Sequence, residues 1–257
     1  MHSLQVLSSN NAYANWNEKD HESSFHFLQK IVDVWKKTKK ADQYLVYGKH
    51  DLDTDLFHWE IVPYQKSSSL IGCFWQQFLV LWNITFGAPK APLTYPNKEL
   101  FEGPYTPPPL KPELSPKDAF CNQQVINKQS VFEGKEVRVL YNYAPIGFGG
   151  ERLHFLVVPK KHRTEFKDLT KSEYLESMQL TNKLIHYFSK NAYLFHKTGK
   201  DAGQTVPHWH MHVIFTSNKA QDFFGKITVL RNMLFGSFPM KDRDLQEKVD
   251  SLKLRLA

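Results

Sequence analysis

The stretch Gly203-Gln204-Thr205-Val206-Pro207-His208-Trp209-His210-Met211-His212-Val213-Ile214-Phe215 restricts the fold of this chain more than any other. Three histidines alternate with apolar residues, and successive side chains of a β-strand point to opposite faces. As a strand, the stretch places His208, His210 and His212 on one face. Trp209, Met211 and Val213 fall on the other, where they need a core. The chain must therefore build a sheet with one face covered and another that gathers three imidazoles, which titrate near neutral pH. A cluster of that kind suits either chemistry on a substrate or ligation of a metal such as zinc, and the strand alone leaves both open.

The chain can bury such a core. It has 257 residues, 41% of them apolar and 23% charged, with a net charge of +7. Its mean hydropathy is −0.48 and its pI about 9.2. The basic balance suits anionic ligands, among them nucleotides and nucleic acid, and is equally compatible with simple solubility. Cys73 and Cys121 form no CxxC pair, which gives no disulfide framework and no cysteine zinc site. That usage fits a reducing compartment, and with no signal-peptide pattern in Met1–Asn11 the expected location is the cytoplasm. Leu70–Phe86 is apolar but interrupted by Gln76, Gln77 and Asn83, so a buried or half-buried helix is expected rather than a span.

Helical spacing predicts an amphipathic helix over His21–Lys37, through Phe25, Leu28, Ile31, Val32 and Trp35. Gln43–Tyr47 and Phe57–Pro63 read as strands. Residues 89–117 hold nine of the fourteen prolines and read as an extended connector. Beyond it, Val131–Lys135, Val137–Asn142 and Leu153–Pro159 read as strands, Ser172–Asn191 as a helix, Ala192–His196 as a strand and the region from Asp222 as helical. His186 and His196 are expected at the surface or at caps, and Cys121 as a structural thiol. The Ile146–Glu151 loop is glycine-rich but is not GxGxxG, so it is a weak phosphate cradle.

Three blocks occur in one order: Phe132-Glu133 to Asn142-Tyr143-Ala144-Pro145, Leu153-His154-Phe155-Leu156-Val157-Val158-Pro159-Lys160-Lys161-His162, and the triple-histidine stretch. Together they resemble the histidine triad family of nucleotide hydrolases and transferases, over about residues 118–216. The resemblance implies an α+β fold: an antiparallel sheet with covering helices. It makes His210 the nucleophile on the α-phosphorus of a nucleotide, forming a phosphoramidate that water cleaves. His208 and His212 would hold phosphate oxygens or move a proton, and His154 would fix the tautomer of the triad. Asn142 would lie near the ribose, Gln204 and Thr205 near the phosphate, and Phe120, Leu140 and Tyr143 around the base. Lys197 stands where the small phosphoramidate hydrolases have asparagine, and suits a more highly charged leaving group. The mechanism calls for no metal and no cofactor.

Because His212 is present where transferases often carry glutamine, hydrolysis of a dinucleoside polyphosphate or AMP conjugate is favoured. The alternatives are a two-domain nucleotidyltransferase or phosphorylase, and a non-catalytic module binding nucleotide or nucleic acid. His58-Trp59-Glu60 lines up with His208-Trp209-His210, and a helix precedes each. The expected layout is therefore a degenerate, non-catalytic copy over 1–88, a linker over 89–117 and a catalytic domain over 118–257. The protein would be a homodimer, or the internal copy would make a pseudo-dimer in place of one.

Overall fold

The computed structural model describes residues 4–13, 16–37, 41–64, 69–86, 118–147, 151–216, 227, 230–232 and 234–256. The expected linker lies outside them. One eight-stranded sheet forms, in the order β1-β3-β2-β7-β8-β6-β5-β4, and all its pairings are antiparallel. Its strands are β1 (Leu4–Ala12), β2 (Gln43–Asp51), β3 (Leu56–Tyr64), β4 (Ser130–Glu133), β5 (Val137–Tyr141), β6 (His154–Pro159), β7 (Asn191–Thr198) and β8 (Met211–Thr216). The helices are α1 (Glu18–Lys37), α2 (Leu70–Phe86), α3 (Gln123–Gln129), α4 (Lys171–Phe188) and α5 (Asp242–Leu256).

Period decides which face each element buries. Phe25, Leu28, Ile31, Val32 and Trp35 of α1 join Tyr174, Met178, Leu184 and Ile185 of α4 in one core. Leu245, Val249 and Leu252 of α5 enter the same core, together with Val46, Trp59, Leu194, Trp209, Met211 and Val213 from the sheet. The helices thus seal one side of the sheet. The opposite side carries the imidazoles and two smaller apolar clusters.

About the β2–β7 seam the three nearest strands on each side correspond, β2, β3 and β1 with β7, β8 and β6, while β5 and β4 have no counterpart. In the first hairpin Leu45 faces Val62, and in the second Phe195 faces His212. Equating these pairs puts Glu60 where His210 stands and Trp59 where Trp209 stands. Both tryptophans are fully buried on the helix side. Each hairpin follows a long helix, α1 or α4.

Two expectations need correction. The N-terminal stretch, for which no element was predicted, includes β1, which pairs with β3. Helix α2 forms as expected, but among its described side chains only Leu81 is buried, while Ile71 and Trp75 are 83% and 58% exposed. Cys73 and Gln77, on successive turns, contact the Asp201 carbonyl. No described helix is long and apolar enough to cross a membrane.

Candidate active site

The triple-histidine strand starts later than the alternation predicts. Pro207 has no N–H to donate, and the Trp209 N–H is taken by the Arg163 carbonyl rather than by a neighbouring strand. Ladder pairing therefore begins at Met211, opposite Val157. His208 and His210 lie on the extended approach to β8, with alternation preserved: Trp209 is in the helix-side core, and the His210 ring is 4.8 Å from that of His212. Arg163 is itself anchored. Its Nε donates to both oxygens of Glu173, at 3.0 Å each, and both residues are buried. Glu173 also completes the capping box with Thr170 at the start of α4.

Hydrogen-bond partners fix which nitrogen carries each proton. His210 Nδ1 lies 2.8 Å from the His208 carbonyl, which can only accept. Nδ1 therefore holds the proton and Nε2 the lone pair. The Ile146 N–H donates to His154 Nδ1 at 3.0 Å. A neutral His154 then carries its proton on Nε2 and donates to His212 Nδ1 at 2.9 Å. That leaves the proton of His212 on its Nε2. Burial pushes His210 down to about 4 and His154 to about 3, and holds His212 well below the ordinary imidazole value. All three are neutral at pH 7. The His212 ring also stacks on Phe195, with centroids 4.4 Å apart.

His208 departs from its expected place among the phosphate-facing groups. It is fully buried, its Nε2 donates to the Pro159 carbonyl at 3.1 Å, and its Nδ1 lies 3.3 Å from Asp118 Oδ1. Both nitrogens are engaged by protein. Cys121 Sγ lies 3.5 Å from His208 Nδ1, and His162 Nδ1 is 2.8 Å from Asp118 Oδ2. Asp118, Cys121, His162 and His208 thereby bring four ligand atoms within 4.8 Å of one another. Thiolate, imidazole and carboxylate are the donor types of zinc sites, and a ligating imidazole that gives its other N–H to a carbonyl is their usual support. The donor set fits zinc, which the sequence expectation of no metal did not anticipate. Burial alone would raise the Asp118 pKa, but His208, with Cys121 and the Phe120 N–H, outweighs it and holds the carboxylate well below its usual range.

The other expected residues divide. Phe120 packs edge-on against His210 at 4.9 Å and joins Leu140, Leu156, Val158 and Val206 in an apolar cluster beside it. Asn142 lies across the His154 ring, with Nδ2 3.3 Å from both nitrogens and Oδ1 accepting from the Ala144 N–H. Tyr143 is 50% exposed. Thr205 is exposed. Gln204 is drawn away from the phosphate-facing place expected for it: its Oε1 accepts from Gly199 N–H and its Nε2 donates to the Thr164 carbonyl. It braces the loop before the triad.

Lys197 faces the histidines, and its charge helps hold both His210 and His212 neutral. No carboxylate pairs with it among the described residues, and burial lowers it to about 8. Gly203 gives it room: a Cβ there would lie 3.1 Å from Nζ, and φ is +83°. The N-terminal half holds the same loop, since the Gln43 carboxamide donates to Asp201 Oδ2 and accepts from the Asp201 N–H.

Asp118, Cys121, His162, Arg163 and Glu173 were not foreseen in these roles. Asp118-x-x-Cys121 was the one available signal for the first pair, since it has the spacing of a two-ligand turn. His196, expected at the surface, is buried, with its ring 4.9 Å from that of Phe166 and 5.3 Å from that of Trp209.

A family model described as HIT domain matches residues 123–219. The chain is 34% identical over 115 residues to a bis(5'-nucleosyl)-tetraphosphatase [asymmetrical] of Schizosaccharomyces pombe, covering 42% of this chain and 59% of that protein. It is 33% identical over 96 residues to a bis(5'-adenosyl)-triphosphatase of Dictyostelium discoideum, covering 35% of this chain and 62% of that protein. The chain thus spans about three fifths of the length of these relatives. In fold alone, 99% of the chain aligns with 74% of a uridylyltransferase, at a TM-score of 0.54 and 10% identity.

Proposed function

We propose, from the premise that residues 123–219 are a HIT domain, that this chain hydrolyses a nucleotide phosphoanhydride through a covalent nucleotidyl-His210 intermediate. The observation that carries the reading is the bond from His210 Nδ1 to the His208 carbonyl, which leaves Nε2 as an unprotonated, uncharged nucleophile. The Nε2 lone pair attacks the α-phosphorus, a P–N bond forms, and the bridging P–O bond breaks with its electrons on the leaving oxygen. Water then attacks the same phosphorus. The P–N electrons return to Nε2, which restores neutral His210, and water supplies the proton that leaves.

The chain's protonation pattern points to the leaving group. His212 has one proton, on Nε2, and receives a hydrogen bond at Nδ1. It donates a hydrogen bond well and gives up that proton poorly. Such a site suits a phosphate oxyanion, which departs without protonation, better than an amine, which needs a proton. The Lys197 ammonium supplies the matching charge. Dinucleoside polyphosphates therefore fit better than phosphoramidates, in line with the relatives' names. Phe120 and Leu140 would wall the base, and Asn142 would lie nearest the ribose.

A metal at Asp118, Cys121, His162 and His208 would supply cross-linking of the turn before α3 to the triad approach. His208 then serves by its carbonyl, which orients His210. The symmetry about the β2–β7 seam, and the fold likeness along almost the whole chain, support residues 1–88 as a degenerate copy that replaces a partner subunit. Gln43 and Gln77 give that copy a task in bracing the catalytic loop. That Cys73 and Cys121 form no disulfide suits the cytoplasm.

The second reading, nucleotidyl transfer, draws on the same whole-chain fold likeness, which also extends to an ADP-glucose phosphorylase from Arabidopsis thaliana over 96% of this chain at a TM-score of 0.52 and 10% identity. Incubating the protein with labelled diadenosine tetraphosphate, with and without added phosphate or sugar phosphate, separates the two. Hydrolysis predicts a mononucleotide product in every case, whereas transfer predicts a product carrying the added acceptor. Label that stays on His210→Asn after quenching refutes both.

A further inference from the structure

We infer that Ser237 is a positioning residue: it holds the Pro145–Ile146 peptide plane so that the Ile146 N–H fixes the tautomers of His154 and His212. The proposal rests on the His210 chemistry above and adds a control outside the matched HIT residues, which end at 219. Ser237 Oγ donates to the Pro145 carbonyl at 2.9 Å. That carbonyl and the Ile146 N–H belong to one planar peptide unit. Gripping the oxygen therefore aims the hydrogen on the other edge, which reaches His154 Nδ1 at 3.0 Å.

The neighbouring carbonyls are held by the same segment. The Met240 N–H donates to the Tyr143 carbonyl at 2.8 Å, and Asn232 Nδ2 to the Gly147 carbonyl at 3.4 Å. The C-terminal end of this strap is fixed. Leu245, Val249 and Leu252 of α5 lie in the main core, and Lys248 and Arg255 hold Glu151 on the far side of the loop.

The consequence is chemical. If the peptide plane rotates, His154 Nδ1 loses its closer donor and keeps only Asn142 Nδ2, which lies across the ring at 3.3 Å, so the ring can carry its proton there. His154 Nε2 then becomes an acceptor, His212 must donate from Nδ1, and His212 Nε2 presents a lone pair to the leaving oxyanion. A donor at the departing oxygen becomes a repulsion without any change in net charge.

The test uses the full chain as wild type, Ser237→Ala and Ser237→Thr, with Met240→Pro as a second way to loosen the loop by deleting one N–H. The first readout is the nitrogen-15 chemical shifts of the His154 and His212 rings, which report tautomer without turnover. The second is kcat and KM for diadenosine tetraphosphate. Ser237→Ala is expected to bring the His212 Nδ1 and Nε2 shifts toward each other and to lower kcat about five- to tenfold, with KM within twofold. Ser237→Thr, which keeps the hydroxyl, restores both, and Met240→Pro follows Ser237→Ala. Unchanged ring shifts in Ser237→Ala overturn the proposal, whatever kcat does. A wild type that turns over no nucleotide refutes the His210 chemistry instead, and leaves the ring shifts to judge the strap.

Discussion

Lys197 is the residue whose charge has the least compensation and the most to do. A half-buried ammonium without a carboxylate retains its charge for a ligand, and its hydrogen bond to a charged phosphate contributes about 1.5–3 kcal/mol, roughly twice a neutral contact. Lys197→Met should therefore lower kcat/KM for diadenosine tetraphosphate by roughly tenfold to a hundredfold. An AMP amide with an uncharged leaving group should lose less than threefold; equal losses on both substrates would remove Lys197 from the leaving-group site. The pH profile carries the same information. Burial brings Lys197 down to about 8 from 10.5, so the ammonium is present below pH 8 and is lost as pH rises through that value. Its titratable neighbours across the site, His210 and His212, are already neutral there. kcat/KM for the polyphosphate should fall above about pH 8, and this alkaline limb should vanish in Lys197→Met. The structure gathers His210, His212, His154 and Lys197; sequence alone grouped the three histidines, because strand alternation and the second histidine block are local patterns, and added Lys197 through the family resemblance. It misplaced His208 and Gln204, since what each side chain bonds to comes from other segments: Pro159 and Asp118 for the first, Gly199 and Thr164 for the second.

Among the elements, α1, α4, β2 and β3 were legible because their apolar periods run unbroken over many residues. β1 was not, since LQVLSSNNA alternates poorly, and α3 was not, since QQVINKQ is mostly polar and relies on the Asn122 cap. The late start of β8 was invisible for another reason: the Trp209 N–H is claimed by Arg163, a partner 46 residues earlier by sequence number. That partner depends on Glu173 at the α4 N-terminus. Removing one member of a buried pair leaves an uncompensated charge, at a cost of about 3–5 kcal/mol. Glu173→Ala should lose that much stability in urea unfolding, and Arg163→Met/Glu173→Met should recover most of it. A double variant no more stable than Glu173→Ala would mean that the cap, rather than the pair, carries the effect. The Asp118–Cys121 turn makes a second claim. Protein purified without chelator should hold about one zinc per chain by elemental analysis, and stripping it should lower the melting temperature. Cys121→Ser should lower the zinc content and His210→Asn should not. A wild type free of zinc even after incubation with it would leave the cluster as a hydrogen-bonded one.

At the scale of the molecule, the β2–β7 seam decides how many sites the protein has. A lone β7 would be an open edge, and open edges pair with other chains. Here β2 caps β7 along seven paired positions, from Tyr44 opposite Thr198 to His50 opposite Ala192. The edge that β7 would otherwise offer another chain is therefore filled from within. Symmetry of backbone does not extend to chemistry. At the positions equivalent to His210 and His212 the first hairpin has Glu60 and Val62, and a carboxylate there makes no stable nucleotidyl-nitrogen bond. Each half therefore keeps its packing tryptophan, while the second alone keeps the histidines. Light scattering should give the mass of one chain, 30.0 kDa. Quench trapping with labelled substrate should give at most one nucleotide per chain, all of it lost in His210→Asn and none in Glu60→Gln. A measured mass of two chains would mean that the seam does not stand in for a partner. Label retained by His210→Asn but lost in Glu60→Gln would move the chemistry to the half that this reading makes silent.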